Sequence, residues 1–230
     1  MMSHFLLWVV FSPLLGLLLV SFAPKNSYKL WALLTSVLSF AVTILAYIAG
    51  QNHSSLKDWN ISYDWFSFGK FFAGSTRLFQ VKFELGVDGL SLVMILLTGI
   101  ISLIAVIAGY SINKGSKGFY QLLFILQVGM FGVFAAQNLV LFFLFFELTL
   151  VPMFFLIGKW GRFDSERAGY QFLIYNGLGS AFLLFVIAVL FARTGTTNYE
   201  VLANIIPAGQ QAVSPISEHL KMVLLICLLI

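Results

Sequence analysis

The chain has 230 residues, 60% hydrophobic and 10% charged, with a net charge of +4. A soluble domain carries roughly 25% charged residues, so this composition excludes a water-covered globule and leaves the loops between membrane spans as the place for the charges. The basic residues are scattered rather than gathered on one face, which excludes a nucleic-acid groove. A single cysteine, Cys227, excludes an internal disulfide framework, and His4, His53 and His219 lie far apart, with no Cys/His pair at metal-ligand spacing. No GxGxxG or GxxxxGKS pattern points to a bound nucleotide.

About 20 mostly apolar residues are needed to cross a hydrocarbon core as a helix. Six stretches qualify: 5–23, 30–50, 90–110, 119–136, 139–158 and 168–192. The first lacks a basic start and is longer than a signal-peptide core, so it reads as a retained transmembrane helix. A seventh apolar run, 222–230, begins like a span and is too short to cross. Gln137 and Asn138 alone separate spans four and five, which predicts a tight antiparallel hairpin. Residues 51–87 form a polar and aromatic segment with Trp59 and Trp65, expected to lie at the interface as a loop with short strands or a helix. Residues 194–219, with Pro207 and Pro215, are expected to hold one short amphipathic helix around 199–206.

Loop charges set the expected orientation. Loops one, three and five are short and carry Lys25, Lys29, Lys114, Lys117, Lys159, Arg162 and Arg167. The opposite side has Lys57, Lys70, Arg77, Lys82, Arg193 and Lys221, diluted in a long segment with Asp58, Asp64 and Glu84. The denser loops are expected to be cytoplasmic, with the N-terminus outside.

Within the spans one ionisable residue stands apart. Glu147, in LVLFFLFFELTLVPMFFLIGKWG, sits close to the midplane, where a carboxylate is disfavoured by on the order of 2.5–3.5 kcal/mol on insertion scales. Its Phe and Leu neighbours cannot offset that, so it must face other helices or a water-filled cavity. A carboxyl that holds or releases a proton mid-membrane is what a proton relay requires. The competing reading is a hydrogen bond that packs one helix on another; intramembrane carboxylates favour the relay. Pro152, five residues on, removes the usual partner of the Leu148 carbonyl and is expected to kink the helix. Asp88, in LGVDGLSL, reads most simply as an N-cap. Tyr175, Asn176 and Ser180, with Gly177 and Gly179, suggest close helix packing. Lys159, Trp160 and Arg162 look like an interfacial belt, and Met94, Met130 and Met153 like apolar filler.

Three segments carry a family resemblance: FELGVDGLSL (83–92), FFLFFELTLVPMFFLIGKWG (142–161) and ERAGYQFLIYNGLGS (166–180). They resemble the chain M, or subunit 4, family of proton-translocating NADH–quinone oxidoreductase, respiratory complex I, and the order and spacing of the spans fit throughout. The resemblance implies an all-α polytopic transmembrane helix bundle, antiporter-like, with spans one and two in 1–50, an extracytoplasmic interfacial loop at 51–87, spans three to six in 88–192 with the antiporter-like repeat starting near 119, and a loop with the start of a seventh helix in 193–230. It implies a membrane-arm subunit in which Glu147 is the essential relay, coupled in the family to a lysine on helix seven. NADH, FMN, iron–sulfur clusters and quinone would then belong to partner subunits, with no cofactor on this chain.

By the same resemblance, its partners are other membrane-arm subunits and the lipid bilayer, in a bacterial inner or plasma membrane. The chain is expected to be an N-terminal portion of a longer protein, without pumping activity alone. Where the family often has a lysine before its helix-six tyrosine, this chain has Gln171. Two other readings stand beside this one: a subunit of a multisubunit sodium/proton antiporter, which shares the glutamate, and a non-conducting scaffold.

Overall fold

In a hydrocarbon medium the backbone must satisfy its own hydrogen bonds, and the six long apolar runs do so as helices. A computed structural model describes residues 3–24, 27–52, 59–68, 79–112, 115–208, 222, 223, 225 and 227. The helices are α1 (Ser3–Phe22), α2 (Tyr28–Asn52), α3 (Gly89–Ala108, followed by a 3-10 turn at Gly109–Ser111), α4 (Ser116–Ala135), α5 (Leu139–Trp160) and α6 (Ser165–Thr194). All six are long and apolar enough to cross a bilayer, and the expected bounds hold to within a few residues at each end. A short α7 (Tyr199–Ala208) stands where the amphipathic helix was expected. Residues 224, 226 and 228–230 of the apolar run 222–230 lie outside the described residues, as do Lys25, His53, Lys57, Asp58, Lys70, Arg77, Lys114, Pro215, His219 and Lys221.

The helices pack as neighbours in sequence, α1 on α2, α2 on α3, α3 on α4, α4 on α5 and α5 on α6, with α1 also closing onto α4. Two apolar clusters result. One joins Val9, Val10, Phe131 and Ala135 to Trp59, and the other joins Val20, Ala32, Tyr120 and Phe124. Pro13 lies inside α1, where it removes an N–H from the ladder. The Ser12 hydroxyl donates instead to the Val9 carbonyl at 3.2 Å.

The interfacial segment supplies the non-helical part, an antiparallel hairpin of β1 (Ile61–Phe68) and β2 (Phe79–Leu85) with Ile61 opposite Leu85. Trp59 is 1% exposed and meets Phe5 of α1 edge to face, so the hairpin is anchored over the open end of the bundle by burial of a large ring. Backbone bonds complete the attachment. Gly86 N–H donates to Ala135 O, Gln137 N–H to Glu84 O, Leu139 N–H to Thr197 O and Tyr199 N–H to Gln137 O. The α4–α5 turn is thereby held on both sides, by β2 and by the approach to α7.

Asn138 is the pivot of that turn. Its side-chain oxygen accepts from Leu141 N–H at 2.8 Å and caps α5, while its amide donates to Lys82 O at 2.6 Å. Asn138→Ala removes both bonds from a buried position, and thermal unfolding in detergent is expected to show a loss of about 1–2 kcal/mol. Asn138→Asp, which keeps the cap acceptor, should recover part of it.

Candidate functional site

Glu147 is the ninth residue of α5, a helix of 22 residues, so it lies about 12 Å along an element about 33 Å long. Which way it faces follows from the helix contacts. On one side of α5, Phe145 and Thr149 meet the glycines of α4: a Cβ at Gly129 would lie 2.6 Å from Thr149 Cγ2 and 3.2 Å from Phe145 O. On the other side, a Cβ at Gly169 of α6 would lie 3.4 Å from Gly158 Cα and from Phe154 O. Glu147, Val151, Phe154 and Gly158 share one stripe, being spaced i, i+4, i+7 and i+11. The carboxyl therefore projects from the side of α5 opposite α4, at the border between the α6 contact and the exposed flank, and the contact between Gly158 and Gly169 in this antiparallel pair brings Ser180 of α6 to its level.

The residue is half-buried. On one flank Leu150 is buried; on the other, Leu144, Leu148, Val151 and Phe155 are exposed. Among the described residues the Glu147 carboxyl has neither an ion pair nor a hydrogen bond. Ser180 donates to Gly177 O and Asn176 to Phe172 O, so these two polar groups of α6 bond within their own helix. Pro152 lies inside α5, which runs as one helix from Leu139 to Trp160.

Other residues singled out in the sequence lie apart from Glu147. Asp88 stands at the start of α3 and accepts from Ser91 N–H at 2.7 Å; that backbone bond holds its carboxyl below the usual 3.8. A depressed value means the cap contributes fully above the unfolded pKa and fades as pH falls through the folded one. Asp88→Ala is expected to destabilise by about 1 kcal/mol at neutral pH, and Asp88→Asn to keep most of the cap while removing its acid sensitivity, both read by thermal melts across pH 3–7. Tyr199, at the start of α7, lines the same cleft as Asp88, and burial pushes its phenol up to about 12, so it stays a neutral donor at physiological pH.

At the far end of α5, Lys159 places its ammonium 5.0 Å from the Trp160 ring centroid, and Trp160 meets Phe119 of α4 edge to face. Gln171 and Tyr175 are exposed. Gly177 and Gly179 do not serve close packing here: a Cβ at either would meet nothing within 4 Å among the described atoms. The close approach that the helix-six glycines suggested occurs instead at Gly169, one face and two to three turns away. Sequence reasoning also missed Asn138 as a cap and Gln127 of α4, which is 1% exposed. An amide in the apolar run FILQVGMF was the signal available for the latter.

Six apolar crossings in a sequentially packed bundle, with a carboxyl at mid-depth of the fifth, define the class as an antiporter-like polytopic membrane helix bundle. Residues 136–230 match the family described as NADH:quinone oxidoreductase/Mrp antiporter, TM. NADH-ubiquinone oxidoreductase chain 4 of Marchantia polymorpha is 30% identical over 84% of this chain and 38% of the relative. The chloroplastic NAD(P)H-quinone oxidoreductase chain 4 of Mesostigma viride is 36% identical over 76% of this chain and 34% of the relative. The chain is thus similar to the chain 4, or chain M, family of NADH–quinone oxidoreductase, and it spans little more than a third of the length of these relatives.

Solved structures share the fold. A chain of the archaeal membrane-bound sulfane sulfur reductase, a respiratory membrane complex, superposes with a TM-score of 0.75 at 15% identity, covering 99% of this chain and 43% of that one. A chain of respiratory complex I from Thermus thermophilus gives 0.68 at 21% identity, covering 86% and 39%.

Proposed function

We propose that this chain is a proton-translocating membrane-arm subunit of NADH–quinone oxidoreductase, with Glu147 as its proton relay. The observation that carries the reading is a carboxyl at mid-depth of α5, turned away from α4 beside the α6 contact and without an ionic partner among the described residues. Such a group is unfavourable in lipid and useful where a proton must pause between the two aqueous sides. The exposed apolar stripe beside it, Leu144, Leu148, Val151 and Phe155, is a surface for further helices of the membrane assembly. Covering it would enclose the carboxyl.

In this reading NADH, FMN, iron–sulfur clusters and quinone belong to partner subunits, and this chain carries no redox centre. The partners are other membrane-arm subunits. The membrane is an energy-coupling one, the bacterial inner or plasma membrane, with the N-terminus and the β-hairpin outside. Similarity to chain 4 relatives supports a redox-driven complex, whereas the matched family also includes Mrp antiporter subunits. A sodium/proton antiporter subunit is therefore the second reading.

Glu147→Gln in the assembled complex tests the proposal. Lost proton translocation with assembly intact supports it; unchanged translocation would leave a scaffold. A sodium requirement for proton movement, without quinone reduction, would favour the antiporter subunit.

A further inference from the structure

The geometry points to a hydrated polar seam between α2 and α4, in which bound water bridges the Gln127 amide to the hydroxyls of Ser36 and Ser39 at the middle of the bundle. This site is distinct from Glu147.

Five buried side-chain polar atoms lack a hydrogen-bond partner among the described residues: Ser36 Oγ, Ser39 Oγ, Tyr120 Oη and both amide atoms of Gln127. All of them lie on two helices, α2 and α4. Their placement is not scattered. Tyr28 of α2 shares a hydrogen bond with Ser116 of α4 and its ring sits 6.2 Å from that of Tyr120. Ser116, Tyr120 and Gln127 are spaced i, i+4 and i+11, one stripe of α4. On α2, Tyr28, Thr35 and Ser39 form the matching stripe, with Ser36 beside it. The stripe that carries Tyr120 onto Tyr28 therefore carries Gln127 onto Ser36 and Ser39, two turns deeper.

Contacts on the other helices fix the depth. A Cβ at Gly16 of α1 would lie 2.8 Å from Phe124 of α4 and 2.9 Å from Thr35 of α2, and one at Gly99 of α3 would lie 2.7 Å from Thr43 of α2. Counting along the helices at about 1.5 Å per residue from these contacts, Ser12, Ser39, Ser102 and Gln127 fall within one turn of a common level. Four helices thus each contribute a buried polar side chain to one layer. Gly129 and Gly132 place the opposite side of α4 against α5, so α4 itself stands between this layer and the helix that bears Glu147.

The hydroxyls differ in how they are satisfied. Thr35 donates to Trp31 O, Thr43 to Phe40 O, Thr98 to Met94 O and Ser102 to Thr98 O, each onto its own helix. Ser36 and Ser39 do neither that nor bond to Gln127. The large majority of buried amides and hydroxyls in proteins are satisfied by protein or by ordered water, and a buried water typically makes about three hydrogen bonds. Two hydroxyls, an amide donor and an amide acceptor on facing stripes supply that number. Apolar packing would not place a glutamine there, and an ion would require a charge that this layer does not contain.

The test is a cryo-EM map of the native membrane assembly containing this chain, at a resolution where waters bound to backbone groups are visible elsewhere. The expected result is at least one solvent peak within about 3.2 Å of the Gln127 amide and of Ser36 or Ser39 Oγ, with the peak gone in Gln127→Leu. Direct bonding of Gln127 to either serine with no intervening density, a dry seam, or a peak that persists in Gln127→Leu would each overturn it. The map of the unmodified protein decides the question even if the variant does not assemble, and neither result depends on what Glu147 does.

Discussion

Glu147→Gln is expected to abolish most proton translocation while leaving the bundle folded. Glutamine matches the carboxyl in shape and keeps hydrogen-bonding capacity, so a residue that only packed α5 against α6 would tolerate the change. What it cannot do is bind and release a proton. Without a titratable group at mid-depth, this helix offers no site where a crossing proton can be bound, and an unpaired charge there is strongly disfavoured. Losing a positioned group that takes up and releases a proton typically slows transfer by about 10²–10⁴-fold, so at least a roughly hundredfold loss is expected. The measurement is pH-gradient formation in vesicles bearing the assembled complex, with assembly checked on native gels. Glu147→Asp should retain partial activity, because the titratable group remains but is withdrawn by one methylene. Full activity in the glutamine variant would end the relay reading.

The second large effect is on stability. At Gly132 of α4 an added Cβ would run into the ring of Phe145, lying 2.5 Å from its Cε1 and nearer still to other ring atoms. Phe145 is buried, and the crowding involves the root of its ring as well as the tip, so a small rotation cannot relieve it. Gly132→Val is expected to cost about 1–3 kcal/mol as overpacking, visible as a lower melting temperature in detergent and reduced membrane accumulation. Pairing it with Phe145→Ala should return part of the loss, because the cavity and the added side chain occupy the same space and the two changes are coupled. Phe145 lies two residues from Glu147 on the opposite side of α5. Any shift of the helix here also moves the carboxyl relative to α6, so translocation should fall with stability in Gly132→Val and recover in the double variant.

The number, order and approximate ends of the spans were readable from run length alone, since a bilayer sets the length of apolar helix required. Glu147 was readable for the same reason: one charge in twenty apolar residues has no innocent surface to occupy. The α7 helix and the tight α4–α5 turn also followed from local pattern. For residues 51–87, alternating aromatic and polar residues left strands and a helix equally open; the hairpin is selected by Trp59, which fills the space beside Phe5, and by backbone pairing to residues 135–137 that are distant in sequence.

What hydropathy could not supply was direction. In a soluble helix the apolar stripe marks the buried face, but α1, α3 and α5 are apolar on nearly every side, because lipid and protein interior are equally non-polar. Which glycines approach a neighbour is then decided by shape. Gly129 and Gly132 meet Phe145 and Thr149, and Gly169 meets the backbone of Gly158 and Phe154, while Gly158, Gly177 and Gly179 themselves face open space among the described atoms, though all are small residues in similar runs. Gln127 shows the same division. Its polarity is evident in the sequence, but only the register among α1, α2, α3 and α4 brings it to the level of Ser12, Ser39 and Ser102, where its amide is left for water. By itself the sequence determined that the chain crosses a membrane and carries an acid in the fifth crossing. The tertiary structure decided which helix faces meet, because in oil complementary shape and the need to satisfy each buried polar atom discriminate among arrangements that hydrophobicity leaves equal.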